Sequence, residues 1–207
     1  IVSEMFNEDG SIAVEGFMDD VAPLGEGEMA LALAEPFDEE EYAKRTGVPP
    51  IGGQRGVHPR IRGALAPTIE VNGFHSGYGG PGGKTIIPAS AEVKLSMRIV
   101  MGQVPAKCLE AVRRHFETRV RDGMKLTVVA SEEGAPAFRV AIDSPLVMKA
   151  RGILASMHPR GCAVVYEGAS IHAIGMLSEV CGGDTVLAGF GMDEDRIHSP
   201  NESFSFR

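Results

Sequence analysis

The 207 residues are 43% apolar and 23% charged, ordinary for a globular chain and long enough for one large domain or two small ones. The net charge of −8 argues against a general nucleic-acid binder, which would carry a basic face. No apolar run approaches the ~20 residues of a membrane span and no signal peptide opens the sequence, so no membrane or nucleic-acid partner is expected.

In chain order, Asn7-Glu8-Asp9-Gly10 is a turn signal. Residues 25–34 and 38–45 read as short helices, the second begun by Asp38 as N-cap. Glu39-Glu40-Glu41 then occupies a first turn, where negative charge suits the helix dipole, and reads as a solvated helix start and not as metal ligands. Residues 68–74 alternate, with Ile69 and Val71 on one face. Residues 91–99 are the clearest strand: Ala91, Val93, Leu95, Met97 and Ile99 point one way, Glu92, Lys94, Ser96 and Arg98 the other. From Pro105, a residue suited to the first helical position, Cys108, Leu109, Val112, Phe116 and Val120 make an amphipathic stripe. Residues 124–128 alternate again, and Ser144-Pro145 starts a second helix that ends before Pro159.

Strand, strand, helix, strand and helix imply an α+β fold: an antiparallel sheet with two helices packed on one face, as in ferredoxin-like folds. After Pro159 the character changes. Residues 162–166 and 185–190 read as short strands, a helix is expected from Ile171, and the stretch DEDRIHSPNESF closes the sequence, with Ser199 or Asn201 able to start a helix. The sequence begins at Ile1 without Met, stops at Phe206-Arg207 in mid-pattern, and reads as a piece of something longer. Cys108, Cys162 and Cys181 lack C-x-x-C spacing and read as buried thiols of a protein in a reducing compartment.

The stretch GYGGPGGKT (77–85) tests a phosphate loop. That motif needs a glycine where Tyr78 stands and a helix after Thr85. Here Ile86-Ile87-Pro88 follows, which is extended, because proline disfavours helix in the residue before it. The nucleotide reading therefore fails, and protection by ATP and magnesium is not expected.

None of His58, His75, His115, His158, His172 and His198 begins an H-x-D, H-E-x-x-H or H-x-x-x-H element, so no complete local metal motif exists. His198 stands out because it follows an acidic turn and precedes Ser-Pro-Asn-Glu. It suits one ligand of a site assembled from distant segments, or is simply a polar residue. Arg98 lies on the polar face of a strand otherwise patterned for burial. It suits a carboxylate, whose two oxygens match the guanidinium fork, or is a surface arginine.

Taken together, GYGGPGGKTIIPAS, KLSMRIV, EGASI and GFGMDEDRIHSPNESF, with NEDGSIAVEGFMDDVAPL and RIRGALAPTIEVNGF before them, resemble the aminoacylase–carnosinase clan of co-catalytic metallopeptidases. Within it they are most like the cytosolic non-specific dipeptidase (carnosinase-like) branch. The blocks are collinear over nearly the whole chain. The resemblance implies a lid/dimerisation domain over residues 1–166, lacking its first strand, and a fragment of an α/β catalytic domain over residues 167–207. It implies a cytoplasmic homodimer formed through the lid, a small peptide substrate, and two divalent metals (zinc or manganese) in the intact parent, with none stably bound by this chain alone. Thr85, Arg98 and Ser170 fall on substrate-binding positions, Arg98 on the arginine for the substrate's C-terminal carboxylate. His198 falls on a metal ligand, and no position here falls on a catalytic residue. The glycine loop would then serve a peptide, its backbone able to approach closely. In the implied mechanism two metals lower the pKa of a bridging water while a glutamate acts as general base.

Two departures bear on specificity. The turn Gly168-Ala169-Ser170-Ile171-His172 carries an alanine where the family has a second glycine and a histidine where it has proline. The H-x-D pair, bridging aspartate and Glu-Glu pair have no counterpart here. Glu132-Glu133 sits at a strand end in the lid and is rejected, and His75-Ser76-Gly77 only resembles the family's lid histidine locally. The expectation is a fragment of a metal-dependent dipeptidase acting on dipeptides or related N-acyl amino acids and inactive alone. The alternative is a non-catalytic peptide-binding or dimerisation module without a metal centre. The coding sequence upstream of Ile1 discriminates the two.

Overall fold

The computed structural model describes residues 1–130, 134–159, 161–168, 171, 173–183 and 185–205. A 3-10 turn, Val2–Met5, leads into the reversal at Asn7–Gly10. There the Asp9 carboxylate accepts the Ser11 N–H (2.9 Å) and hydroxyl (2.6 Å), an Asx-type closure. Phe6 and Ile12 pair across the reversal, which sends Met5, Val14 and Phe17 inward.

Three helices follow. α1 is Glu26–Ala34, and the Glu28 carboxylate takes the Gly25 N–H at 2.8 Å, satisfying one of the helix's free amides. α2 is Glu39–Thr46, capped by Asp38 through the Glu41 N–H at 2.9 Å and stopped by Gly47 in the left-handed region. α3 is Pro59–Ala64, with proline in its first turn. Helices α1 and α2 stand where the sequence places them. α3 was not expected, being only six residues long with a glycine inside.

β1 (Thr68–Ser76) and β2 (Ala91–Arg98) form an antiparallel, two-stranded sheet. Thr68 faces Arg98, Val71 faces Leu95, and Gly73 faces Lys94, so Asn72 is bulged out. The bulge flips the alternation and brings Phe74, which stays 66% exposed, opposite Val93. Asn72 and Ser96 close it from the other face with side-chain hydrogen bonds of 2.9 and 3.2 Å.

α4 (Pro105–Glu117) packs on this sheet. Cys108, Ala111, Val112 and Phe116 join Met5, Val14, Phe17 and Ile69 in one core, edged by Val93, Leu95, Met97, Ile99 and Leu126. Phe17 is 1% exposed, and burying such a side chain contributes about 1.5–3 kcal/mol. His115 is buried too, its Nε2 lying 3.1 Å from the Ile1 carbonyl. α5 (Pro145–Met157) starts at Ser144, whose hydroxyl accepts the Val147 N–H at 3.3 Å. α6 is Ala173–Cys181. α5 contributes no buried residue. A second, smaller core holds Ala32 of α1 with Ile61 and Leu65, flanked by Leu24, Val57, Ala64 and Tyr166.

The fold is thus α+β, a two-stranded antiparallel sheet with helices; α4 packs on the sheet, while α5, expected as the second helix there, buries no residue. Three expected strands do not appear as strands. Residues 124–128, 162–166 and 185–190 run without ladder partners among the described residues, and alternation makes a strand only where a neighbour takes its amides and carbonyls. The thiols also differ from expectation: Cys108 is buried, Cys162 half-buried and Cys181 exposed. Among the described residues no helix is long and apolar enough to cross a membrane.

Candidate functional site

Arg98 ends β2 on its polar face, opposite Thr68. That placement follows from alternation: Val93, Leu95 and Met97 turn toward the core, so Lys94, Ser96 and Arg98 face away from it. Its Nη1 donates to the Gly168 carbonyl at 3.4 Å, across 70 residues of sequence. This bond joins the strand to the segment that carries the E-G-A-S motif.

That segment is seated from below. Tyr166 packs on the α1–α3 core. Burial pushes its phenol pKa up, with Glu28 nearby raising it further and Arg139 opposing. Arg139 and Glu28 form a partly buried ion pair at 3.0 Å. Two residues on, Gly168 lies so close to the Gly63 carbonyl of α3 that a Cβ there would land on its oxygen. The close approach, and not a special dihedral angle, is what requires glycine there.

Thr85 lies exposed in the loop 77–90 between β1 and β2. The Tyr78 hydroxyl donates to the Pro81 carbonyl at 3.1 Å, and Lys84 Nζ sits 4.4 Å from the centre of the Tyr78 ring. Lys84 is therefore engaged with an aromatic face, and no helix follows Thr85, which removes the phosphate-loop geometry altogether.

His198 is exposed and holds a left-handed conformation, φ 64°. Such a backbone costs a non-glycine residue of order 1 kcal/mol or more and persists only where its surroundings impose it. Here the surroundings are visible. The His198 N–H donates to Glu202 Oε2 at 3.2 Å. Asp195, only 2% exposed, accepts the Met192 N–H at 2.8 Å and the Ser205 hydroxyl at 3.3 Å. The Ser203 N–H returns to the Asp195 carbonyl at 2.9 Å. The helix expected from Ser199 or Asn201 is instead a set of turns curled around Asp195. Asp195 was missed as an organiser. Its signal was an acidic residue in a turn that has later Ser residues to fold back on it.

Arg98 and the Glu167–Gly168 segment are thus brought together, while Thr85 and His198 occupy separate exposed loops. Ser170, Ala169, His172 and the rejected Glu132-Glu133 pair lie outside the described residues. His75 stands on the outer face of β1 opposite Glu92. Among the described residues no group of three or more His, Cys, Asp and Glu side chains is arranged to hold a metal ion.

Against known proteins, the family model for the peptidase dimerisation domain (M20) matches residues 3–124. The chain is 25% identical over 207 residues to the Beta-Ala-His dipeptidase of Homo sapiens, covering 99% of this chain and 41% of that protein. It is 25% identical over 214 residues to the Cys-Gly metallodipeptidase DUG1 of Candida albicans, covering 98% of this chain and 42% of the relative. Among solved structures, the M20 family metallo-carboxypeptidase Sso-CP2 from Sulfolobus solfataricus aligns with a TM-score of 0.73 at 27% identity, over 87% of this chain and 40% of that one. The dipeptidase Dug1p from Saccharomyces cerevisiae shares the fold, with a TM-score of 0.74 at 20% identity over 97% of this chain and 42% of that one. The chain therefore spans about two-fifths of the length of the relatives it matches.

Proposed function

The chain belongs to the M20 peptidase dimerisation-domain family, and on that premise we propose that it is the lid and returning segment of a metal-dependent dipeptidase. Residues 1–166 form the lid/dimerisation domain and residues 167–207 belong with the catalytic domain. The whole protein is a cytoplasmic homodimer that hydrolyses dipeptides or related N-acyl amino acids.

One observation carries this reading: the Arg98 guanidinium meets the carbonyl of Gly168 in the E-G-A-S segment. The end of β2 and the Glu167–Gly168 backbone are held side by side by this bond, which supports a peptide-binding role for Arg98. Arg98 binds the substrate's C-terminal carboxylate through charge-assisted hydrogen bonds, worth about 1.5–3 kcal/mol, and so sets the length of peptide accepted. Thr85 and Ser170 add further contacts. Holding a substrate in one orientation is the chain's own share of catalysis.

The residues present do not fit a two-metal centre, because His198 has no cluster of ligands around it among the described residues. His198 supplies one ligand to zinc or manganese held mainly by other parts of the protein, and this chain by itself is hydrolytically silent. The test is steady-state hydrolysis of dipeptides by the intact protein with added Zn2+ or Mn2+, beside the 207-residue chain alone. Activity in the first and none in the second is expected. Full activity of the chain alone would sink the proposal.

The match of residues 3–124 to a dimerisation domain favours a second reading, a peptide-binding or dimerisation module without a metal centre. That reading predicts an intact protein that retains no divalent metal after dialysis yet still binds dipeptides.

A further inference from the structure

We propose that Tyr166 and Gly168 are positioning residues for Arg98: the α1–α3 layer seats residues 166–168 so that the Gly168 carbonyl fixes the attitude of the guanidinium toward a carboxylate. This rests on the reading of Arg98 as the carboxylate anchor.

The chain of contacts runs inward from the anchor. A guanidinium carries five N–H donors on a long, flexible stem, so an arginine at the end of an exposed strand has many attitudes open to it. The Gly168 carbonyl takes Nη1 at 3.4 Å and restricts them. Gly168 is itself set by its contact with the Gly63 carbonyl, and Tyr166 by its place in the apolar cluster of Ala32, Ile61 and Leu65.

α3 supplies a seat that does not move freely. Arg60 Nη2 donates to the Pro36 carbonyl at 3.1 Å, and its guanidinium lies 5.6 Å from the centre of the Phe37 ring. Arg62 reaches the other way, donating to the Pro50 carbonyl at 2.7 Å and to the Gly52 carbonyl. The short helix is thus tied on both sides, and its last turn presents the Gly63 oxygen to Gly168. The contact is asymmetric. A Cβ on Gly168 would strike α3, whereas a Cβ on Gly63 meets nothing within 4 Å.

That asymmetry gives the experiment. In the intact, metal-loaded protein, kcat/KM is measured for a dipeptide and for the same dipeptide with its C-terminus amidated. The ratio of the two reports carboxylate recognition, and a smaller folded fraction does not change it. Arg98→Ala is expected to lower the ratio by about tenfold or more, the scale of a lost charge-assisted hydrogen bond. Gly168→Ala and Tyr166→Ala are expected to lower it by about fivefold or more through KM, since a slightly misplaced group loses its alignment. Gly63→Ala should leave it unchanged, and Tyr166→Phe, which keeps the ring, should rescue the loss seen in Tyr166→Ala. Should Gly168→Ala fail to fold, Tyr166→Leu keeps the apolar volume without the ring and carries the same expectation. An unchanged ratio in Arg98→Ala overturns the anchor reading and this inference with it. A lowered ratio in Arg98→Ala, with equal losses on both substrates in the Gly168 and Tyr166 variants, leaves the anchor standing and overturns only the positioning role.

Discussion

Gln103 donates its side-chain N–H to the carbonyl of Phe17 at 2.7 Å, joining the N-terminal segment to the start of α4 across 86 residues. Its Oε1 accepts the Val100 N–H at 2.9 Å, and the side chain is 4% exposed. Replacing it with Ala strands a buried carbonyl. Gln103→Ala is expected to lower the unfolding free energy by about 2 kcal/mol with an unchanged m-value in urea. A loss under about 0.5 kcal/mol would mean that water replaces the amide at no cost.

On the proposed reading of Arg98 as the carboxylate anchor, lysine should not replace it. Its ammonium offers a point charge where the guanidinium offers a fork. In the intact protein Arg98→Lys should raise KM for dipeptides by about tenfold while kcat changes much less. A selective fall in kcat would place Arg98 in the reaction step and not in ground-state binding.

The thiols should separate by exposure. Burial raises the Cys108 pKa, so its thiolate is scarce as well as covered. Disulfide-exchange reagents should label Cys181 fast, Cys162 more slowly, and Cys108 only on the timescale of unfolding. Mass spectrometry of a timed labelling series reads this directly, and early modification of Cys108 would contradict the core as described.

Asp9 sets the acid side of stability. The Ser11 hydroxyl, and then its N–H, hold the Asp9 carboxyl below the usual carboxylate range. A folded-state pKa below the unfolded one adds stability that is present above about pH 4 and is lost as pH falls through the folded value. The stability gap between the native chain and Asp9→Asn should therefore be flat from neutral pH down to about pH 5 and vanish in stronger acid. A gap still present at pH 2 would show that the amide disturbs the turn by shape, not by charge.

How much the sequence disclosed depended on the reach of each signal. Local signals were legible. Asp38 and Ser144 act as caps, Asn7–Gly10 turns, and the alternation in residues 91–99 gives both β2 and the outward Arg98. Signals that need a partner were not. Residues 124–128 alternate as β2 does, yet extended backbone without a neighbour stays unpaired, and only Leu126 touches the core. The bulge at Asn72 was hidden because Ile69 and Val71 fit plain alternation, and the flip appears only when β2 is laid alongside. Arg98 was legible as a candidate, but its seat on Gly168 was not, because that contact is made by backbone atoms 70 residues away and leaves no side-chain pattern.

The bulge has a consequence for how this scaffold changes. A tight hairpin fixes strand register through its turn. Here the strands are joined by the long loop 77–90, and register is marked inside the sheet by Asn72 and its bonds to Ser96. The loop is thereby released from structural duty. Closing a loop of twice the length costs only about 0.6 kcal/mol more, so the tip that bears Thr85 can be lengthened, shortened or rewritten while Arg98 keeps its place. On the proposed reading, the contact made by Thr85 can then drift while the register of the strands and the anchor Arg98 stay as they are.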